Sequence, residues 1–191
     1  MSFDKQKAEA SKKNLQNADL KNADLQEADL SEGILIEACL ENSNLSEADL
    51  CGTDISGANL KNARLHRTVL YRCRGKEVDF SNAVLTQANL VEANLSGANF
   101  THANLMESNI EGANLTNACF KDANLSEVNL TGVFLTNADL SGANFTNSEC
   151  IAADLVGCDL TGANLHNTYL NHADLSGANL KSALNLTSDQ V

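Results

Sequence analysis

Proline and tryptophan are absent from this 191-residue chain, tyrosine occurs twice, and cations are scarce, with 13 Lys and Arg against 25 Asp and Glu. A formal charge of −12 argues against direct nucleic-acid binding, because a polyanion is repelled by it. No stretch reaches the roughly 18 consecutive apolar residues of a membrane span. The amino terminus, MSFDKQKAEASKKN, mixes charges of both signs and lacks the apolar core of about 7–15 residues that marks an export signal. Six cysteines, Cys39, Cys51, Cys73, Cys119, Cys150 and Cys158, are irregularly spaced with no C-x-x-C pair, unlike a zinc site or a secreted disulfide framework. A reducing cytoplasm is the expected location. No shift of composition marks a hinge, so one domain is expected. Leucine and alanine are abundant instead; they lift the hydrophobic fraction to 43% and set the chain apart from a disordered acidic polymer.

An internal repeat dominates the order of these residues. Every fifth residue from Leu15 to Leu180 defines 34 slots, of which 26 are Leu, four are Phe and two are Ile; only Gly75 and Cys150 depart. Two residues before every slot except the first, which has Lys13, stands a small side chain, Ala in 21 of the 34 cases. A period of five suits neither a helix nor a long alternating strand. Within one unit, the small residue and the Leu are two apart and share one side of an extended segment, while the residue between them points away. The other two positions, often Ser-Gly, Thr-Gly, Thr-Asn or Lys-Asn, suit a turn, since Gly and Asn accept positive φ.

Phrases such as NADLKNADLQEADL and SGANFTHANLMESNIEGANL resemble the pentapeptide-repeat family, whose motif is Ala-(Asp/Asn)-Leu-x-x, and the match runs from residue 13 to 182 without an insertion. The resemblance implies an all-β fold, a right-handed quadrilateral parallel β-helix with four pentapeptides per coil. Thirty-four units make about 8.5 coils, and at ~4.8 Å per coil a rod of roughly 40 Å. Residues 1–12 are expected to cap the first coil, as a helix with Phe3 turned inward. Residues 13–182 form the solenoid, and 183–191 a cap or a dimer tail, with Leu184, Leu186 and Val191 as its apolar groups and Thr187 and Gln190 at capping-box spacing.

With four units per coil, residues 20 apart stack. Phe80, Phe100 and Phe120 then form an internal ladder. The segment TVLYRCRGKEVDF, Thr68–Phe80, keeps the register but leaves the core slot of Gly75 empty, with Cys73, Val78 and Phe80 larger than usual beside it. It also carries the cations of an acidic protein: Arg64, Arg67, Arg72, Arg74 and Lys76 form a belt. Stacking sets Arg67 over Glu47, Arg74 over Asp54 and Arg72 under Glu92, so the belt reads either as a salt-bridged patch or as a site for an anion, a headgroup or an acidic protein. The acidic candidates are one outward column, Glu27, Glu47, Glu107 and Glu127 with Arg67 and Gln87 between, and an adjacent face with Asp29, Glu32, Asp49, Glu92 and Glu111.

The expected function is that of a non-catalytic scaffold with a protein partner, needing no cofactor or metal. Whether it acts as a monomer or as a homodimer through a terminus is open. Family resemblance supplies an alternative, since the quinolone-resistance members are DNA-mimicking rods that bind DNA gyrase. Against that, −12 over ~40 Å is about one charge per 3.3 Å, where duplex DNA has one per ~1.7 Å, and the belt interrupts the acidic surface. The third reading is an enzyme with a site at a rod end or dimer junction. His66, His102, His166 and His172 all fall on outward positions of a filled rod, which offers no obvious pocket.

Overall fold

The computed structural model describes residues 5–187. Phe3, Gln190 and Val191, assigned above to the two ends, lie outside the described residues. A short helix, α1 (Lys5–Ser11), and one 3-10 turn, Lys12–Asn14, lead into the repeat. From there the central residue of each extended segment pairs in parallel with the residue 20 later, beginning with Asp19 and Cys39 and ending with Asn164 and Leu184. Twenty residues therefore make one coil.

The five backbone N–H groups of a unit account for the motif. The N–H at the Leu slot, at the second turn residue and at the middle residue bond to neighbouring coils, as in Leu20 to Cys39 O (2.7 Å), Asn22 to Glu41 O (2.9 Å) and Asn44 to Ala23 O (2.9 Å). The small residue's N–H closes the turn, as in Ala23 to Leu20 O (3.0 Å). The fifth, on the first turn residue, goes to the side chain of the preceding Asp or Asn, as in Cys51 to Asp49 Oδ1 (2.8 Å). Buried or half-buried N–H groups need partners, which is why the middle position favours Asp and Asn.

All 34 second turn residues from Asn17 to Ser182 have φ between 53° and 72°. With the Leu C=O to small-residue N–H bond, this is the pattern of a type II turn. Nine of them are Gly, but the rest include Glu27, Glu47, Arg67, Arg72 and Ala152, for which the left-handed region costs ~1–2 kcal/mol each. Inter-coil bonding on both sides of the turn outweighs that cost. Of the two turn positions, the first is the more tucked in; Ser46 and Ser81 are buried there although the repeat pattern puts both turn residues in solvent.

Inside, Leu slots and small residues from Leu20 to Leu170 are buried, and Phe80, Phe100 and Phe120 stack with centroids 5.0 and 4.6 Å apart. Hydroxyls at the small-residue position behave in two ways. Thr53, Thr68 and Thr168 donate to the carbonyls of Leu30, Leu45 and Phe145, one coil down, whereas the buried hydroxyls of Ser43 and Ser108 meet no partner among the described residues. The Gly75 slot is filled along the rod axis. A methyl added there would lie 2.7 Å from Leu95 Cδ2 and 3.1 Å from Ile55 Cγ1, the residues one coil above and below.

The two ends differ. Ala8 of α1 is buried in the core, Glu9 Oε1 accepts the Asp29 N–H (3.0 Å), and the Lys12 carbonyl accepts that of Ile34 (2.7 Å). At the other end Ala173, Leu175, Ala178, Leu180, Ala183 and Leu186 are only half-buried.

Two stability outcomes follow. Gly75→Leu restores the repeat but meets Ile55 and Leu95 already in its space, so urea unfolding should show a loss of ~1–3 kcal/mol; a gain would mean the slot is a void. Ala152→Gly relieves a left-handed alanine at φ 53° and should raise stability by ~0.5–1 kcal/mol in the same assay.

Candidate interaction surfaces

The outward middle slots of successive coils stand one strand spacing apart, about 4.8 Å. Asparagines there chain together: Asn124 donates to Asn104 (3.1 Å), Asn144 to Asn124 (3.3 Å) and Asn164 to Asn144 (3.2 Å). Each Oδ1 also accepts a turn N–H, as Asn104 does from Met106 (3.1 Å). The result is a flat, rigid amide surface, since every side chain is held from two directions.

Charge is segregated along the axis. Residues 15–60 hold ten carboxylates and one lysine, residues 61–100 six cations and three carboxylates, and residues 101–187 nine carboxylates and two lysines. All five belt residues, Arg64, Arg67, Arg72, Arg74 and Lys76, are exposed. Arg72 pairs with Glu92 (2.6 Å) and lies over the Tyr71 ring (4.8 Å), while Arg74 reaches Asp54 (3.2 Å). The Arg67 pairing differs from the stacking expectation. Its Nε donates to Gln87 Oε1 (2.8 Å) on the coil above rather than to Glu47 below, and Gln87 in turn donates to Glu107 (2.7 Å). The gain is a continuous hydrogen-bonded line from Arg67 to Glu107. Lys76 pairs with its neighbour Glu77 (3.4 Å), and Arg64 has no side-chain partner among the described residues. Exposed pairs of this sort contribute ~0–1 kcal/mol each.

The acidic candidates Glu27, Glu32, Glu47, Asp49, Glu92, Glu107, Glu111 and Glu127 are exposed, as is Asp29. Asp29 also ties the leading 3-10 turn to the first coils. Its Oδ1 accepts from Lys12 Nζ (2.8 Å), Ser31 Oγ (2.6 Å) and the Ser31 N–H (3.0 Å). The Lys12 bond foremost, then those from Ser31, hold its carboxyl down at about 2. Glu127 and Glu149 flank a shallow recess of about 420 Å³.

The sequence matches the family model for pentapeptide repeats over residues 11–47 and 43–74, and again from 79 to 187 in overlapping stretches. The chain belongs to the pentapeptide-repeat family. Members fold as right-handed β-helices, and the parallel bridges at 20-residue spacing are the ladder of that fold. Among solved structures, the chain is similar to HetL, a pentapeptide-repeat protein involved in heterocyst differentiation regulation from the cyanobacterium Nostoc sp. strain PCC 7120, at 32% identity over 88% of this chain and 81% of that one, with a TM-score of 0.42. It is similar to QnrB1, a plasmid-mediated fluoroquinolone resistance protein, at 22% identity over 87% and 85%, TM-score 0.44. A third similar structure is Rfr23 from the cyanobacterium Cyanothece 51142, at 27% identity over 73% and 65%, TM-score 0.23. No curated protein matches.

In this pentapeptide-repeat rod the chemically versatile side chains stay apart. The described residues contain no group of three metal-ligating side chains, and no helix among them is long and apolar enough to cross a membrane. Burial pushes the thiols of Cys73 and Cys150 up to about 12 and that of Cys158 to about 11, which keeps them protonated fillers. Contrary to the expectation that the outward histidines meet no pocket, a recess of about 810 Å³ near the carboxyl end is lined by His166 and Tyr169 with amides, hydroxyls and Leu170; none of the described residues lining it is a carboxylate or thiol.

Asp29 gives the rod an acid-sensitive end. Its folded pKa is depressed, so its contribution is complete above about pH 4 and fades as pH falls toward about 2. Asp29→Asn should lower the thermal midpoint at pH 7, and the gap to wild type should close over that window; a gap constant with pH would remove Asp29 from the account.

Proposed function

We propose that the protein is a non-catalytic interaction rod of about 8.5 coils that presents its faces to a protein partner in the cytoplasm. In this reading residues 1–12 cap the amino end, 13–182 are the solenoid, and 183–191 serve as a cap or a dimer tail. The observation that carries it is the alternation of charge along a rod with a filled interior: an acidic segment, the Arg64–Lys76 belt exposed to solvent, and a second acidic segment, with most of the carboxylates exposed and Glu41, Asp54, Asp139, Asp154 and Asp159 half-buried. Such a surface selects partners by sign and spacing, with no cavity needed. The third reading, an enzyme with a site at a rod end or dimer junction, would use the recess beside His166.

Monomer and homodimer through a terminus both fit this reading; in support of the dimer, the last described coil leaves Leu175 and Leu180 half-buried, and the N–H groups of Leu175, Gly177, Leu180 and Ser182 meet no acceptor among the described residues. An open strand edge beside half-covered leucines is a pairing surface.

A DNA-mimicking gyrase binder is the second reading, favoured by a charge of −12 on a rod and opposed by the belt in its middle. In-cell cross-linking followed by mass spectrometry decides among these. Wild type should capture a protein that is lost either from the variant with Arg67, Arg72 and Arg74 changed to Ala or from one with Glu27, Glu47, Glu107 and Glu127 changed to Lys. Capture unchanged by both variants would reject both surfaces. Inhibition of gyrase supercoiling at equimolar rod, relieved by the Glu→Lys variant, would put mimicry first.

A further inference from the structure

Phe134 breaks the rule of the middle slot. It projects from the face that carries Asn114 one coil below and Asp154 one coil above, and it is 52% exposed. The slot ordinarily holds a side chain that closes the next turn, as Asn129 does by accepting the Thr131 N–H (3.0 Å). Phenylalanine accepts nothing, and the Thr136 N–H has no partner among the described residues. Phe134 thus costs the fold a hydrogen bond and exposes an aromatic ring, while the core beneath it is already filled by Val133 and Leu135. A local rule broken without structural gain points to function.

Its surroundings specify the partner. One coil above, Ile151 and Val156 sit half-buried at the two corners that bracket Asp154, so Phe134 stands below an apolar rim divided by a carboxylate. Asp174 continues the same face upward. Around the next corner Tyr169 is 56% exposed above Glu149. Residues 101–187 hold nine carboxylates against Lys121 and Lys181 and contain no arginine. This sign repels nucleic acids and anionic membranes and attracts cationic protein.

We infer that the Phe134 face docks a positively charged protein segment, one that places an apolar side chain against the ring and lysines or arginines beside Asp154 and Asp174. Aromatic anchors inside a charged rim are where interface energy concentrates. This rests on the reading of the rod as a binding module and adds the site and the class of partner.

The discriminating variant is Phe134→Asn, which installs the residue the slot ordinarily uses. It should unfold at the same or higher temperature, so a binding loss cannot be ascribed to misfolding. The probe is a fluorescein-labelled peptide with two leucines spaced among six lysines, followed by anisotropy, beside the same peptide with glutamate for lysine. Wild type should bind the lysine peptide and ignore the glutamate one, with affinity falling as salt rises. Phe134→Asn should weaken binding at least tenfold and Asp154→Asn severalfold. Equal binding by wild type and Phe134→Asn would overturn the inference, since the attraction would then belong to the acidic surface at large. So would failure of wild type to bind. Concentration-dependent self-association lost in Phe134→Asn would replace the foreign segment with a second copy of this chain. A rod that captures a cellular partner through the belt while ignoring the lysine peptide would sink this inference and leave the binding-module reading standing.

Discussion

The hydrogen bond from the N–H of each Leu slot to the carbonyl 19 residues later, 2.6–3.0 Å from Leu15 to Leu165, fixes the coil at 20 residues. With that length set, every side chain acquires one neighbour above and one below of known identity. Leu meets Leu, Ala meets Ala, and the three phenylalanines meet as a stack. The bond also forces a left-handed residue into each corner, and it is strong enough in aggregate to hold glutamates, arginines and an alanine there against their own preference. Strain at the corners is the consequence of an otherwise regular ladder.

The same geometry turns the outside into columns whose chemistry is set one residue at a time. Where the middle residue is Asn or Asp, the column locks into an amide ladder and the surface is rigid. Where it is Arg, as at Arg74, the column becomes an ion pair with Asp54. Where it is Phe, as at Phe134, the ladder stops and an apolar group meets solvent. A solenoid of this kind separates folding from recognition: the inward positions maintain the rod, and a change at an outward slot alters a surface without moving a coil. With the interior filled by the inward side chains, it is the outward faces that the described residues present to other molecules.

Much of this was legible in the sequence because the period is local. Leu at every fifth position and Ala two before it name the core residues individually, and the addition of 20 predicts the Arg72–Glu92 and Arg74–Asp54 pairs that form. The pattern failed where two neighbours compete. Arg67 has Glu47 below and Gln87 above, and column arithmetic prefers the charge; the folded side chain takes the amide, which relays to Glu107. Asp29 reads as one carboxylate of an acidic face, yet Lys12 of the leading 3-10 turn captures it, a contact no repeat can foretell because Lys12 lies outside the repeat. The anomaly of Phe134 was present in the sequence as a missing Asn, but its weight comes from Asp154 stacked one coil above it, with half-buried Ile151 and Val156 at the corners on either side of that carboxylate.

By itself, then, the sequence determined the inward residues and the axial order of charge, because a five-residue period is a property of the chain alone. The coil length, and with it the stacking partners, was what the resemblance to the pentapeptide-repeat family implied, and the parallel bridges at 20-residue spacing bear it out. Tertiary structure decided which of two stacked neighbours a long side chain chooses, how Ile55 and Leu95 share the space left at Gly75, and how α1 closes the first coil through Ala8 and Glu9. Those outcomes depend on rotamers and on contacts between parts of the chain that obey different rules, and only packing in three dimensions resolves them.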